Sequence, residues 1–171
     1  MDVMGFYKVV VLTFVAAIFG GCYSFRGIAI DQSITTFYVA PFDNRAPNAT
    51  PTLAPDFTER LKDKIRNESR LIFSDTDPDV EFTGAITGFQ VSAEAPQPGE
   101  QIAFNKLTIT VAVDYINNRT TDEKLKITKI TKSFYSEFPS DQNLLDIQDA
   151  LILTITTQLV EDIFTAAFTN W

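Results

Sequence analysis

The chain has 171 residues, room for one domain with a short appendage and too little for two ordinary ones. Hydrophobic residues make up 45% and charged ones 21%, the balance of a packed globular protein rather than a disordered one. With 14 Lys+Arg against 22 Asp+Glu the net charge is -8, the wrong sign for a binder of nucleic-acid phosphates. His is absent, which removes the usual general base, the His-paired nucleophiles and every His-ligated metal.

The first 25 residues are the most informative. Lys8 precedes an apolar run from Val10 to Phe19, followed by Gly20, Gly21 and the only Cys, Cys22. A positive residue, an apolar run and small residues before a break are the parts of a cleaved signal peptide, so residues 1–21 are set apart from the fold. The small pair Gly20-Gly21 directly before a lone Cys resembles the lipobox of bacterial lipoproteins, in which small side chains let a peptidase reach the scissile bond, the thiol carries a diacylglycerol and the same residue takes a further acyl chain. Cys22 is therefore the expected lipid-attachment residue and the expected mature N-terminus. Several acyl chains at about 0.8 kcal/mol per buried methylene would anchor the chain durably. A membrane helix over Val9 to Phe25, at the short limit for spanning a bilayer, and a plain secretory signal remain as alternatives. Lys8 and Asp2 leave together with the leader, so the mature chain stays at -8.

Residues 22–33 read as a tether and 34–171 as one domain. Thr35 to Phe42 is β-branched and aromatic and predicts a strand, ended by Pro41 and polar residues. A loop containing Pro47, Pro51 and Pro55 follows. From about Leu53 to Asn67, Leu53, Phe57, Leu61 and Ile65 recur every fourth position among charged residues, an amphipathic helix that starts near Thr52 or Pro55. Leu71 to Phe73 is a short strand closed by an Asp-rich turn. Val80 to Ser92 alternates, but its parity slips near Gly88, which predicts a bulge at Thr87-Gly88. Glu94 to Gln101 is a hairpin-like loop. Lys106 to Ile116 alternates throughout, with Leu107, Ile109, Val111, Val113 and Tyr115 on one face. Leu125 to Phe138 predicts a long returning strand. Ser140-Asp141 is placed to cap a final helix whose Leu144, Ile147, Leu151, Ile155, Leu159, Ile163 and Ala167 form a buried side.

Apart from the short Leu71–Phe73 strand, the order is β-α-β-β-β-α. This predicts an α+β two-layer sandwich: a mostly antiparallel four-stranded sheet with two helices packed on one face. The other face is polar, rich in Thr, and open to water or a partner.

No catalytic signature is present: there is no nucleotide-binding glycine loop, nucleophile elbow or calcium loop. Asp75, Asp77, Asp79 and Glu81 alternate, but Pro78 interrupts them, which favours a solvated turn over a hard-cation site. No cofactor and no metal are expected beyond the lipid on Cys22. Lys124, Lys126, Lys129 and Lys132 crowd the last strand, with Lys106 at the start of its neighbour. The even-numbered Lys124, Lys126 and Lys132 are expected on one side. Such lysines either protect a sheet edge from aggregation or form an anion site for a lipid phosphate or a partner's carboxylates.

Cys22-Tyr23-Ser24-Phe25-Arg26-Gly27, Pro51-Thr52-Leu53, Asn105 to Val111, and Gln158 to Phe164 with the ending Asn170-Trp171 together resemble the LptE family of lipopolysaccharide-assembly lipoproteins, in its Bacteroidetes branch. The resemblance implies a non-enzymatic outer-membrane lipoprotein that faces the periplasm and plugs an LptD-type β-barrel translocon. It also implies a role in delivering lipopolysaccharide, with Lys106, Lys124, Lys126, Lys129 and Lys132 as candidate contacts to lipopolysaccharide or partner. Surface-exposed relatives carry an acidic run after the Cys, which Tyr23 to Arg26 lack, so the inner leaflet is expected. Two other readings stay open: a periplasmic solute- or glycan-binding lipoprotein, which needs an aromatic-lined pocket, and a hydrolase, which needs two facing carboxylates.

Overall fold

A computed structural model describes residues 30–94 and 103–169. The leader, Cys22, most of the tether and the loop 95–102 lie outside the described residues. Helix α1 is Leu53–Glu68 and begins after Thr52, whose carbonyl accepts the Asp56 N–H at 2.9 Å. Asp56 in its first turn and Arg66 in its last complement the helix dipole. Its four-residue stripe of Leu53, Phe57, Leu61 and Ile65 is wholly buried, each side chain worth about 1.5–3 kcal/mol of burial.

Helix α2 is Leu144–Thr169. Its cap is Asn143, whose side-chain oxygen accepts the Leu145 N–H at 3.2 Å. The expected Ser140-Asp141 cap is displaced because the Ser140 N–H donates to the Ala103 carbonyl and prolongs the pairing of the last strand, and a turn closed by the Gln142 N–H on the Pro139 carbonyl follows before the helix begins. The helix is long and apolar enough to cross a bilayer, yet more than half of that stretch is buried in the domain, as befits a core helix. Ile155, Leu159, Ile163 and Ala167 are buried as the spacing predicts, while Leu144, Ile147 and Leu151 of the same stripe are only half-buried.

The strands are β1 Thr36–Val39, β2 Asp43–Asn44, β3 Ile72–Phe73, β4 Val80–Glu94, β5 Phe104–Asn117 and β6 Ile127–Pro139. They form one sheet in the order β3-β1-β4-β5-β6, with β2 also beside β4. The β4-β5-β6 meander is antiparallel, as expected. The sheet has six strands rather than four, and β1, β2 and β3 pair in parallel. The expected Thr35–Phe42 strand is cut at Pro41, which has no N–H to give the ladder. On either side of the break Ala40 donates to the Phe82 carbonyl and Arg45 to that of Ile86, both at 2.9 Å. One chain segment thus follows β4 in two pieces.

The predicted bulge is present: Ile86 pairs with Val111 and Gly88 with Thr110, leaving Thr87 as the extra residue. It restores the parity, so that Phe82, Ile86 and Phe89 all reach the core. The core-facing row of β5, Leu107 to Tyr115, is buried against the helices. On the opposite face Thr83, Thr108, Thr110 and Thr131 stand half-buried or exposed, and the Thr110 and Ser133 hydroxyls share a 2.8 Å hydrogen bond.

Strand directions gather the chain at one pole. β1, β4 and β6 begin there and β5 ends there. After α1 the Arg70 guanidinium donates to the carbonyls of Ile30 and Asp31, so the tether joins the domain at this N-terminal pole.

Gly84 is required by close approach. A Cβ there would stand 2.3 Å from the Ala112 carbonyl oxygen and 2.7 Å from the Phe42 ring, which itself lies 5.1 Å from the ring of Phe57 on α1. Gly84→Ala is expected to destabilise the fold by about 1–3 kcal/mol through overpacking, read as a lower urea midpoint with an unchanged m-value.

Candidate functional site

The N-terminal pole is held by Asp79. Its carboxylate, 1% exposed, accepts the Thr35 N–H at 2.6 Å, the Thr35 hydroxyl at 2.8 Å and the Thr36 N–H at 3.0 Å, and pairs with the Arg119 guanidinium. The Asp79 N–H donates to the Thr36 hydroxyl, and its carbonyl accepts the Asn118 N–H. Burial alone would raise the Asp79 carboxyl pKa. The donors from Thr35, Thr36 and Arg119 overcome that and hold it well below the ordinary carboxylate range.

The expected solvated Asp turn is therefore only half correct, for Asp75 and Asp77 are exposed and Asp79 turns inward. Asp77 has a φ of 48°, a left-handed conformation that Asp tolerates in tight turns. Among the described residues no group of three or more His, Cys, Asp or Glu is arranged to hold a metal.

The lysines do not form one cluster. Lys124 and Lys126 belong to the turn before β6, and Lys126 lies 3.9 Å from Glu123. Lys106 and Lys129 are on the open face but far apart, opposite Glu137 and Asp114 respectively, eight residues or about 26 Å along β6. Lys106 is bound by Glu94, which raises its ammonium pKa, and its Nζ lies 4.2 Å from the Tyr135 ring centroid. Lys132 pairs with Val111 and falls on the helix side, so Lys124, Lys126 and Lys132 do not share a strand face. The reason is local: a strand's parity holds only inside the strand, which starts at Ile127. β6 is an edge of the sheet, where lysines oppose strand addition.

Lys129 and Lys132 have no carboxylate within 4.0 Å among the described residues. Both border a cavity of about 560 Å³ at the N-terminal pole, between the start of β6 and the last turns of α2. Leu125, Ile130, Ala166 and Ala167 give it apolar walls, and Tyr115 and Asn117 close it on the β5 side. The Tyr115 hydroxyl is buried and has no hydrogen-bond partner, and burial raises its pKa far above the usual phenol value. Alternation identified Tyr115 as core; nothing in the local pattern marked its hydroxyl as unpartnered, because that depends on where α2 ends.

The family model LptE, described as lipopolysaccharide-assembly, matches residues 34–167. No curated protein sequence matches the chain significantly. Its fold is similar to that of a minor lipoprotein from Acinetobacter baumannii, with 12% identity and a TM-score of 0.50 over 79% of this chain and 94% of that one. It is also similar to a hypothetical protein from Chlamydia trachomatis, with 9% identity and a TM-score of 0.53 over 80% and 99%. Rare lipoprotein B from Shewanella oneidensis aligns at 10% identity and a TM-score of 0.49 over 75% and 92%. The first two share the α+β architecture.

Two substitutions check the electrostatics. Asp79→Asn is expected to cost about 2–4 kcal/mol at pH 7 by breaking a buried charged network. The native carboxyl binds its proton less readily than the unfolded one, so its contribution is whole above about pH 4 and is lost as pH falls further. Urea midpoints should therefore drop between about pH 4 and pH 2 in the native sequence and less steeply in Asp79→Asn. Tyr115→Phe removes a buried unpaired hydroxyl and is expected to raise stability by about 1 kcal/mol, measured by the same titration.

Proposed function

The chain belongs to the LptE family and has a role in lipopolysaccharide assembly, and from that premise we propose that it is a non-enzymatic outer-membrane lipoprotein supporting an LptD-type β-barrel. On this reading residues 1–21 are removed, Cys22 carries the diacylglycerol and acyl chain, residues 22–33 form the tether, and the single domain 34–171 faces the periplasm and plugs the barrel lumen. The observation that carries the reading is the family match, which runs through nearly the whole domain from Ile34 to Ala167.

Physical features agree with it. The open sheet face is lined by Thr83, Thr108, Thr110, Ala112, Thr131 and Ser133, small and polar side chains suited to a polar barrel interior. The tether meets the domain at the pole held by Asp79, so the membrane anchor and the fixed end of the domain coincide. Among the candidate lysines, Lys106 and Lys126 are occupied by acidic partners, while Lys124, Lys129 and Lys132 have none among the described residues. These three are the stronger candidates for a lipopolysaccharide or partner contact.

The reading is tested by isolating outer membranes, solubilising them in detergent and capturing the tagged chain. A β-barrel of the LptD type should co-purify, and the N-terminal peptide should begin at an acylated Cys22. Cys22→Ser should leave the domain folded but release it from the outer-membrane fraction. Recovery of the wild-type chain only as a free monomer would refute the barrel partnership.

A further inference from the structure

We propose that the cavity at the N-terminal pole is a binding site for one acyl chain of an anionic lipid, with the tail among Leu125, Ile130, Ala166 and Ala167 and the head at Lys129 and Lys132. Three independent observations meet there. The first is shape and polarity: about 560 Å³ of largely apolar space lies within the range of small-ligand sites. Tyr115 closes it on the β5 side, with a hydroxyl that is buried and has no partner in the protein.

The second is charge. In a chain of net charge -8, where Lys62, Lys64, Lys106 and Lys126 each have a carboxylate partner, the two lysines bordering this cavity have none among the described residues. Asp114, across the strand pair from Lys129, is the nearest acidic residue by register and makes no ion pair with it. A free ammonium beside an apolar cavity suits a carboxylate or phosphate joined to an alkyl chain, since the head gains a charge-assisted hydrogen bond while the tail leaves water.

The third is position. The tether meets the domain at this same pole, and the eight residues from Cys22 to Ile30 reach at most about 29 Å. On the lipid-anchored reading, which this inference rests on for its lipid source, the cavity mouth is held close to the membrane surface.

The test uses the full lipidated chain reconstituted into phosphatidylcholine vesicles. These are doped with either photoreactive phosphatidylglycerol or photoreactive phosphatidylcholine, each bearing a diazirine near the end of one acyl chain. After irradiation, phosphatidylglycerol adducts are expected on the peptides spanning Leu125 to Lys132 and Phe164 to Thr169, and phosphatidylcholine should give fewer. Ala166→Trp, which fills the cavity from a half-buried position, should abolish these adducts. Lys129→Ser with Lys132→Ser should reduce them roughly tenfold, the loss of one charge-assisted hydrogen bond, without shifting the melting temperature.

Equal labelling by both lipids, labelling confined to the N-terminal peptide, or adducts that survive Ala166→Trp would overturn the proposal. So would adducts that appear only after Trp171→Ala, since the cavity would then be the seat of the chain's own C-terminus. Lipopolysaccharide added to the vesicles distinguishes the source. Displacement of the adducts assigns the site to a lipopolysaccharide acyl chain, and persistence assigns it to a phospholipid; both have the proposed chemistry. The mass of the N-terminal peptide is read from the same sample. An unmodified Cys22 would refute the anchor, while adducts formed on the β6 and α2 peptides would still establish the cavity.

Discussion

The Asp79 carboxylate joins three parts of the chain that are remote in sequence: the first residues of β1, the start of β4 and the turn after β5. It is almost fully buried and carries a charge, so the fold has to surround it with donors, and the backbone of Thr35 and Thr36, the Thr35 hydroxyl and Arg119 provide them. A buried charge with its partners removed is among the costliest defects a small domain can carry. That constraint sets the position of the parallel β1–β4 pair, and with it the place where the tether leaves the domain. The N-terminal pole is therefore fixed by contacts between segments far apart in the chain.

Around that fixed end the sheet divides the molecule into two unlike surfaces. One face is covered by both helices, with Phe82, Tyr115, Phe164 and Phe168 in edge-to-face contact at ring separations of 5.2 to 6.0 Å. The other keeps Thr and Ser side chains beside water, with Lys106, Glu137, Asp114 and Lys129 toward its two ends. The cavity lies where these arrangements run out, beyond the last turns of α2 and beside the edge strand β6. An edge strand has no neighbour to fill the space at its side, and the small Ala166 and Ala167 on the helix do not fill it either.

Periodicity made much of this legible before any coordinates. The stripes of α1 and α2, the alternation of β5 and the parity slip at Thr87-Gly88 are properties of neighbouring residues, and each appears in the fold where the pattern puts it. The cap of α2 fell on Asn143 instead of Ser140-Asp141 because the pairing of β6 runs on to Ser140, held by Ala103, a residue remote in sequence. The break at Pro41 is written in the sequence, but the resumption of the strand as β2 is not, since it depends on β4 lying alongside. The lysines show the same limit: their spacing suggested one basic face, whereas the start of β6 at Ile127 and the sheet register send them to a turn, to the open face and to the helix side.

From the sequence alone came the acidic composition without His, the α+β class and the inward-facing residues, because each is set by local composition or by the 2.0 and 3.6 residue periods. Tertiary structure alone decided the parallel pairing of β1, β2 and β3, the inward turn of Asp79, which lysines keep a free charge, and the cavity beside Tyr115. These depend on which segments meet across the sheet. A side chain's periodicity states which way it points, but only the assembled fold states what it points at.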